Sequence, residues 1–152
     1  MFHILLFEPE IPPNTGNSIR LAANTGCTLH LVGRLGFDLD EPRLRRAGLD
    51  YHDMASVRLH KDLPTCLAAI GPTRLFVIET DGDRAYAEAR FQPGDSLLFG
   101  RETSGLPAAV NGQLPADHER LRIPMQSGNR SLNLSNAVAV VDVPTATVTA
   151  IL

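Results

Sequence analysis

The chain has 152 residues, 43% of them apolar and 20% charged, with a formal net charge of −3 at pH 7. That length suits one domain with a buried core, and the composition is that of an ordinary soluble globular protein. A small negative charge excludes a general phosphate-neutralising nucleic-acid binder, and the longest apolar run, Ile4 to Phe7, is too short to cross a bilayer. The N-terminus has no basic lead before a long apolar region, so a cytoplasmic location is expected.

Phe2 to Phe7 reads as a first strand, apolar nearly throughout, as a strand covered on both faces of a parallel sheet requires. Glu8-Pro9-Glu10-Ile11-Pro12-Pro13 forces a turn, after which Asn14 is expected to N-cap a helix running to about Thr25 and closed by Gly26. Thr28 to Val32 is a second strand, Gly33 to Phe37 a loop, and Asp40 to Leu49 a helix carrying Arg43, Arg45 and Arg46. Ser56 to His60 is a weaker strand, Asp62 to Ile70 a helix stopped at Gly71-Pro72, and Arg74 to Glu79 a strong strand followed by a turn at Thr80 to Asp83. Asp95 to Phe99 and Arg120 to Ile123 complete the strands, and a short helix spans Leu106 to Leu114. The last helix is expected to begin at Ser131 and to stop near Val143, because Pro144 and the β-branched residues after it have little helical character. Alternating strands and helices predict a single α/β domain over 1–152, built on a parallel sheet.

Two loops concentrate the chemistry. Leu97 to Phe99 breaks into Gly100-Arg101-Glu102-Thr103-Ser104-Gly105-Leu106-Pro107, and Leu121 to Ile123 breaks at Pro124, with Gln126 to Arg130 following. Both loops should leave the carboxyl edge of the sheet, where open α/β sheets bind ligands. Ser131 is expected to cap the helix behind the second loop, leaving backbone N–H groups free to face a ligand. Arg20 follows Asn17 at i+3 and Gly16 at i+4, so it shares a helical face with them and could clamp a substrate, or stand as an exposed helix charge. Each loop alone also fits an ordinary strand-to-helix turn, and Arg43 to Arg46 also fit a solvated helix face. His3, His30, His52, His60 and His118 lack the i, i+4 pairing of a helical metal site, and Cys27 and Cys66 lack paired spacing, so buried free thiols and no metal are expected. No Gly-x-Gly-x-x-Gly or Walker sequence is present, which disfavours a dinucleotide or nucleoside-triphosphate site.

Four ordered motifs carry a resemblance: Glu8 to Asn17 with Arg20; Leu44-Arg45-Arg46-Ala47-Gly48-Leu49-Asp50-Tyr51; Phe99 to Pro107; and Arg130-Ser131-Leu132-Asn133-Leu134-Ser135-Asn136-Ala137. Together they resemble the SPOUT family of knotted RNA methyltransferases, in its minimal TrmL-like branch of tRNA (cytidine/uridine-34) 2′-O-methyltransferases. The likeness covers Phe2 to about Val141. It implies a deep trefoil knot over about 74–143, S-adenosylmethionine held in that knot, and a homodimer acting on the tRNA anticodon stem-loop. By position, the resemblance places the cofactor against Ile78, Glu79, Thr80, Leu98, Gly100, Ile123, Met125, Ser131 and Leu132. It gives catalytic or shaping roles to Arg20, Asn14, Glu102, Arg130 and Asn133, of which Glu102, Arg130 and Asn133 fit structural bridges equally well; the helix carrying Arg43, Arg45 and Arg46 is a candidate RNA contact.

Two departures from the family pattern stand out. Arg101 occupies a position where the family commonly has Pro or Ser. After Val141 the family usually continues with a helix containing Tyr-Glu-Ala, whereas this chain reads Asp142-Val143-Pro144-Thr145, an atypical tail over 142–152. The tail raises an alternative expectation, a knotted RNA- or cofactor-binding module with impaired turnover.

Overall fold

The computed structural model describes residues 1–71 and 73–146; the side chains of Glu41 and of 143–146 lie outside that description. Seven parallel strands form one sheet: β1 (His3–Phe7), β2 (Thr28–Val32), β3 (Val57–His60), β4 (Leu75–Ile78), β5 (Arg84–Ala85), β6 (Ser96–Phe99) and β7 (Glu119–Arg122). Their order is β3-β2-β1-β6-β4-β7-β5. Every strand pair is parallel. The helices are α1 (Pro12–Thr25), α2 (Glu41–Arg46), α3 (Tyr51–Met54), α4 (Leu63–Ile70) and α5 (Leu134–Ala146), and a short 3-10 turn covers Ala108–Gln113.

The central strands show no polar alternation because both sheet faces are covered. Ile4, Leu6, Leu29, Leu31, Phe76, Ile78, Leu97, Phe99 and Leu121 face one side, against Ile19 and Ala22 of α1 and Leu134, Val138 and Val141 of α5. Leu5, Phe7, Val32, Val77 and Leu98 face the other, against Leu63 and Cys66 of α4 and Val110. Each fully buried aliphatic side chain contributes roughly 1.5–3 kcal/mol relative to exposure. These two layers therefore hold the sheet's carboxyl edge rigid under the loops that leave it.

Several boundaries differ from the sequence expectation. Helix α1 begins at Pro12 with Ile11 at the N-cap and no side-chain cap bond. Two prolines fit the first helical positions, where no N–H partner exists, so Asn14 lies inside the first turn and its amide is released for other work. The helix expected over Asp40 to Leu49 ends at Arg46, because Gly48 adopts φ 73° and breaks it. A separate helix, α3, follows under a capping box between Asp50 and Asp53. Strand β5 was not foreseen; two residues give no periodicity to read.

Helix α5 starts at Leu134, not Ser131, and runs to Ala146, past the stop expected near Val143. Pro144 is the third residue from its end, and a proline there removes one N–H without having to carry a further full turn. Asp142, in the atypical tail, is buried and accepts hydrogen bonds from Thr25 Oγ1 (3.1 Å) and Cys27 Sγ (3.1 Å), which fasten α5 to the end of α1. The remainder of the tail, 147–152, lies outside the described residues.

The sheet also assembles histidines that sequence spacing kept apart. His3, His30 and His60 line up across β1, β2 and β3, with His3 Nδ1 3.0 Å from His30 Nε2 and His30 Nδ1 2.8 Å from His60 Nε2. Burial lowers all three pKa values, and for His30, flanked by two more imidazoles, the value falls to about 4. Both cysteines are free and buried, and burial pushes Cys27 up to about 11 and Cys66 up to about 12.

Candidate functional site

A cavity of about 680 Å³ opens at the carboxyl ends of β1, β4, β6 and β7, a size typical of small-molecule sites. Ile78, Glu79 and Thr80 border it where β4 ends, the segment from Phe99 to Leu106 where β6 ends, and Ile123 and Met125 just beyond β7. Arg130 to Asn133, ahead of α5, and Asn14 of α1 complete the wall. The apolar floor comes from Ile78, Phe99, Ile123 and Leu132, while the rim is backbone and short polar side chains.

The loop after β6 is a tight hairpin. Arg101 and Gly105 exchange backbone hydrogen bonds at 3.1 and 2.9 Å, with Gly105 at φ 69°. Gly100 is packed against that hairpin so closely that a Cβ there would lie 2.3 Å from both Gly105 C and Leu106 N. Only glycine permits this approach.

Carboxylates tie the hairpin to the segment between β1 and α1. Glu102 accepts from the backbone N–H of Glu10 (2.8 Å) and Ile11 (3.1 Å) and from Asn14 Nδ2 (3.3 Å). Glu10 in return accepts from the backbone N–H (3.1 Å) and hydroxyl (2.8 Å) of Thr103, which hold its carboxyl below its usual pKa. Glu8 forms an ion pair with Arg101, whose guanidinium also sits 5.8 Å from the Phe7 ring centroid. Glu8 is the one non-glycine residue with positive φ (45°) among the described residues, a strained conformation that aims its carboxylate at Arg101. The cation that departs from the family pattern is thus engaged inside the protein.

Asn14 then links this assembly to α5. It is buried, and its Oδ1 accepts from Asn133 Nδ2 at 2.8 Å, so both ends of the amide are satisfied. Asn133 Oδ1 accepts from Ser135 Oγ (2.8 Å) and from the backbone N–H of Asn136 (3.3 Å), and so caps α5. Ser131 is exposed and does not cap; it lines the cavity instead.

Of the residues singled out from sequence, Asn14, Glu102, Arg130, Asn133, Ile78, Glu79, Thr80, Gly100, Ile123, Met125, Ser131 and Leu132 converge on the cavity. Glu79 does so with its carboxylate paired to Arg120, which also donates to Asn111 Oδ1 (2.8 Å). Leu98 does not converge: it pairs with Leu5 and Val77 and faces the α4 side of the sheet. Side chains alternate along a strand, so Phe99 takes the place expected of Leu98. Arg20 is exposed on α1, bonded to the Gly48 carbonyl and outside the cavity wall. Arg43 pairs with Asp38 (3.1 Å) and Asp40 (3.6 Å), while Arg45 and Arg46 are exposed on the same short helix. Sequence reading missed Phe99, Thr103 and Leu106 as wall residues; strand parity gives the first, and nothing local gives the other two.

The family model for the SpoU rRNA Methylase family matches residues 1–142. The chain belongs to that family. A Yersinia pestis protein named tRNA (cytidine(34)-2′-O)-methyltransferase is 55% identical over 146 residues, covering 93% of this chain and 90% of that protein. The protein of the same name from Escherichia coli strain K12 is 54% identical over 141 residues, covering 93% and 89%. A solved structure described as giving structural insights into the 2-OH methylation of C/U34 on tRNA is 44% identical, with a TM-score of 0.83 over 95% of this chain and 88% of that one. Within the SpoU family, then, this chain keeps the full fold and nearly the full length of these relatives.

Proposed function

We propose that this protein methylates the ribose 2′-hydroxyl of the wobble nucleotide, cytidine or modified uridine at position 34 of tRNA, using S-adenosylmethionine. The observation that carries the reading is the cavity itself, in which the Glu102–Asn14–Asn133 chain of hydrogen bonds binds three distant segments into one wall. Identity of 55% to a protein of that named activity, over nine-tenths of both chains, supports the same substrate.

The residues present fit the cofactor. Ile78, Phe99, Ile123 and Leu132 offer an apolar bed for an adenine ring, and the Gly100 cradle, which a Cβ would fill, lets backbone amides come close to its edge. When bound, the group supplies an electrophilic methyl on a sulfonium sulfur. The chain's task is then to hold the acceptor ribose in line and to exclude water.

Arg20 is assigned to the acceptor. A guanidinium stays protonated at neutral pH, so it orients the ribose and its phosphate as a donor and a charge, not as a base. Arg130, exposed at the cavity mouth, is the second cation on that side. Arg20 lies six residues beyond Asn14 on α1, about 9 Å further along the axis at 1.5 Å per residue. A homodimer in which Arg20 of one subunit serves the cavity of the other reconciles that separation with its role. The reading includes one domain over 1–152 with a deep trefoil knot over about 74–143, supported by a cavity drawn at once from the ends of β4, β6 and β7 and the start of α5. It also includes a cytoplasmic location; no described helix is long and apolar enough to cross a membrane.

Incubation with tritiated S-adenosylmethionine and total tRNA tests the activity. Label is expected in tRNA and not in DNA; absence of label overturns the proposal.

A further inference from the structure

The face of the sheet covered by α4 carries a second cluster of chemistry-bearing side chains, away from the methyl-transfer cavity. His30 of β2 and His60 of β3 turn toward α4, and Cys66 of α4 is fully buried over them. One donor atom from each of the three lies within 4.8 Å of the other two. We propose that His30, His60 and Cys66 form a binding site for a thiophilic divalent transition-metal ion, with Zn²⁺ the ion whose tetrahedral preference best suits two imidazoles and a thiolate.

Three observations carry this. No hydrogen bond to the Cys66 thiol is found among the described residues, so a side chain able to ligate a soft metal is buried beside two imidazoles with no polar partner. His30 is held from behind: its Nε2 lies 3.0 Å from His3 Nδ1, the outer partner that fixes the tautomer and aim of a metal-bound imidazole. Its other nitrogen, Nδ1, lies 2.8 Å from His60 Nε2, so two potential ligand nitrogens are already side by side.

Binding rearranges protons in a defined way. Without an ion, one N–H bridges His30 Nδ1 and His60 Nε2. With an ion, each imidazole keeps its one proton away from the metal: that of His30 sits on Nε2 and is donated to His3 Nδ1, that of His60 on Nδ1 and that of His3 on Nε2, while the Cys66 thiol releases one proton to solvent. A water completes the tetrahedron on the side where His60 is only partly buried. Zinc–nitrogen bonds of about 2.0–2.1 Å place tetrahedral ligand nitrogens about 3.3 Å apart. The two nitrogens must therefore separate by about 0.5 Å and the rings turn so that their lone pairs meet at the ion, which the edge position of β3 allows. The ion would pin α4 to β2 and to the edge strand.

The test is titration of the purified, metal-stripped protein with Co²⁺ alone, then displacement by Zn²⁺. One Co²⁺ per chain is expected, with a thiolate-to-cobalt charge-transfer band and tetrahedral ligand-field intensity. The charge-transfer band is lost in Cys66→Ser and kept in Cys27→Ser, and ligand-field intensity drops in His60→Asn. Should Cys66→Ser unfold, Cys66→Ala serves in its place, with circular dichroism confirming the fold. No saturable band, or a band that survives loss of Cys66, overturns the site.

Discussion

Arg20 illustrates how far a side chain's role depends on what holds it. Its guanidinium leans on the Gly48 carbonyl, which is available because Gly48, at φ 73°, ends α2 and turns the chain back. That contact leaves the remaining donors of the fork free to meet a substrate without moving the helix. Arg20→Ala is therefore expected to remove methyl transfer while cofactor affinity, read by calorimetry, stays within about twofold, a change of less than ~0.5 kcal/mol. Equal loss of both would contradict the assignment. Gly100 belongs to the opposite case, where a missing side chain is the requirement. Gly100→Ala drives a methyl into the Gly105–Leu106 backbone. The expected cost is about 1–3 kcal/mol of stability, seen as a lowered Tm, with about a tenfold or greater loss of cofactor affinity.

Between elements, the carboxylates of Glu8, Glu10 and Glu102 run both ways across one boundary, so the hairpin after β6 and the start of α1 position each other. The sequence leaves Glu102 either catalytic or a structural bridge, and the structure shows the bridge; its partners are not legible because they lie some 90 residues away in the chain and are set by β1 pairing with β6. What sequence did reveal was punctuation. Gly26 and Gly100 mark a helix end and a turn through backbone restriction alone, which acts locally, whereas Gly48, expected inside a helix, ends it, and Pro12 and Pro13, expected in a turn, open α1. Facing was less legible: Leu98 and Phe99 are equally apolar, and only the register of β6 decides which reaches the cavity. The histidine row failed to register for a similar reason, since helical spacing cannot detect ligands gathered from parallel strands. At this scale, α2 gives a further expectation. Arg45→Glu with Arg46→Glu should weaken tRNA binding by about tenfold or more and reduce its salt dependence by about one unit of slope per arginine, with cofactor affinity unchanged. Filter binding across a salt series checks it, and an unaltered slope removes α2 from the RNA surface.

For the molecule as a whole, the cavity wall includes Asn14 but not Arg20, although both stand on α1. The proposed homodimer accounts for that separation by letting Arg20 of one subunit serve the cavity of the other. An Arg20→Ala chain, inactive alone, and a Gly100→Ala chain, impaired at limiting cofactor, should recover activity at limiting cofactor on mixing and subunit exchange, because one site in the mixed dimer has both an intact cavity and an intact arginine. No recovery after verified exchange would place Arg20 in its own subunit's site. Asp142, the first residue of the atypical tail, fastens α5 to the end of α1, beside the buried Val138 and Val141. The most direct trial of the account is mass-spectrometric mapping of tRNA methylated by the purified protein. A 2′-O-methyl group on the ribose of nucleotide 34, absent when Arg20→Ala replaces the native chain, is the predicted result; methylation of a base, or of a ribose elsewhere in the tRNA, would contradict it.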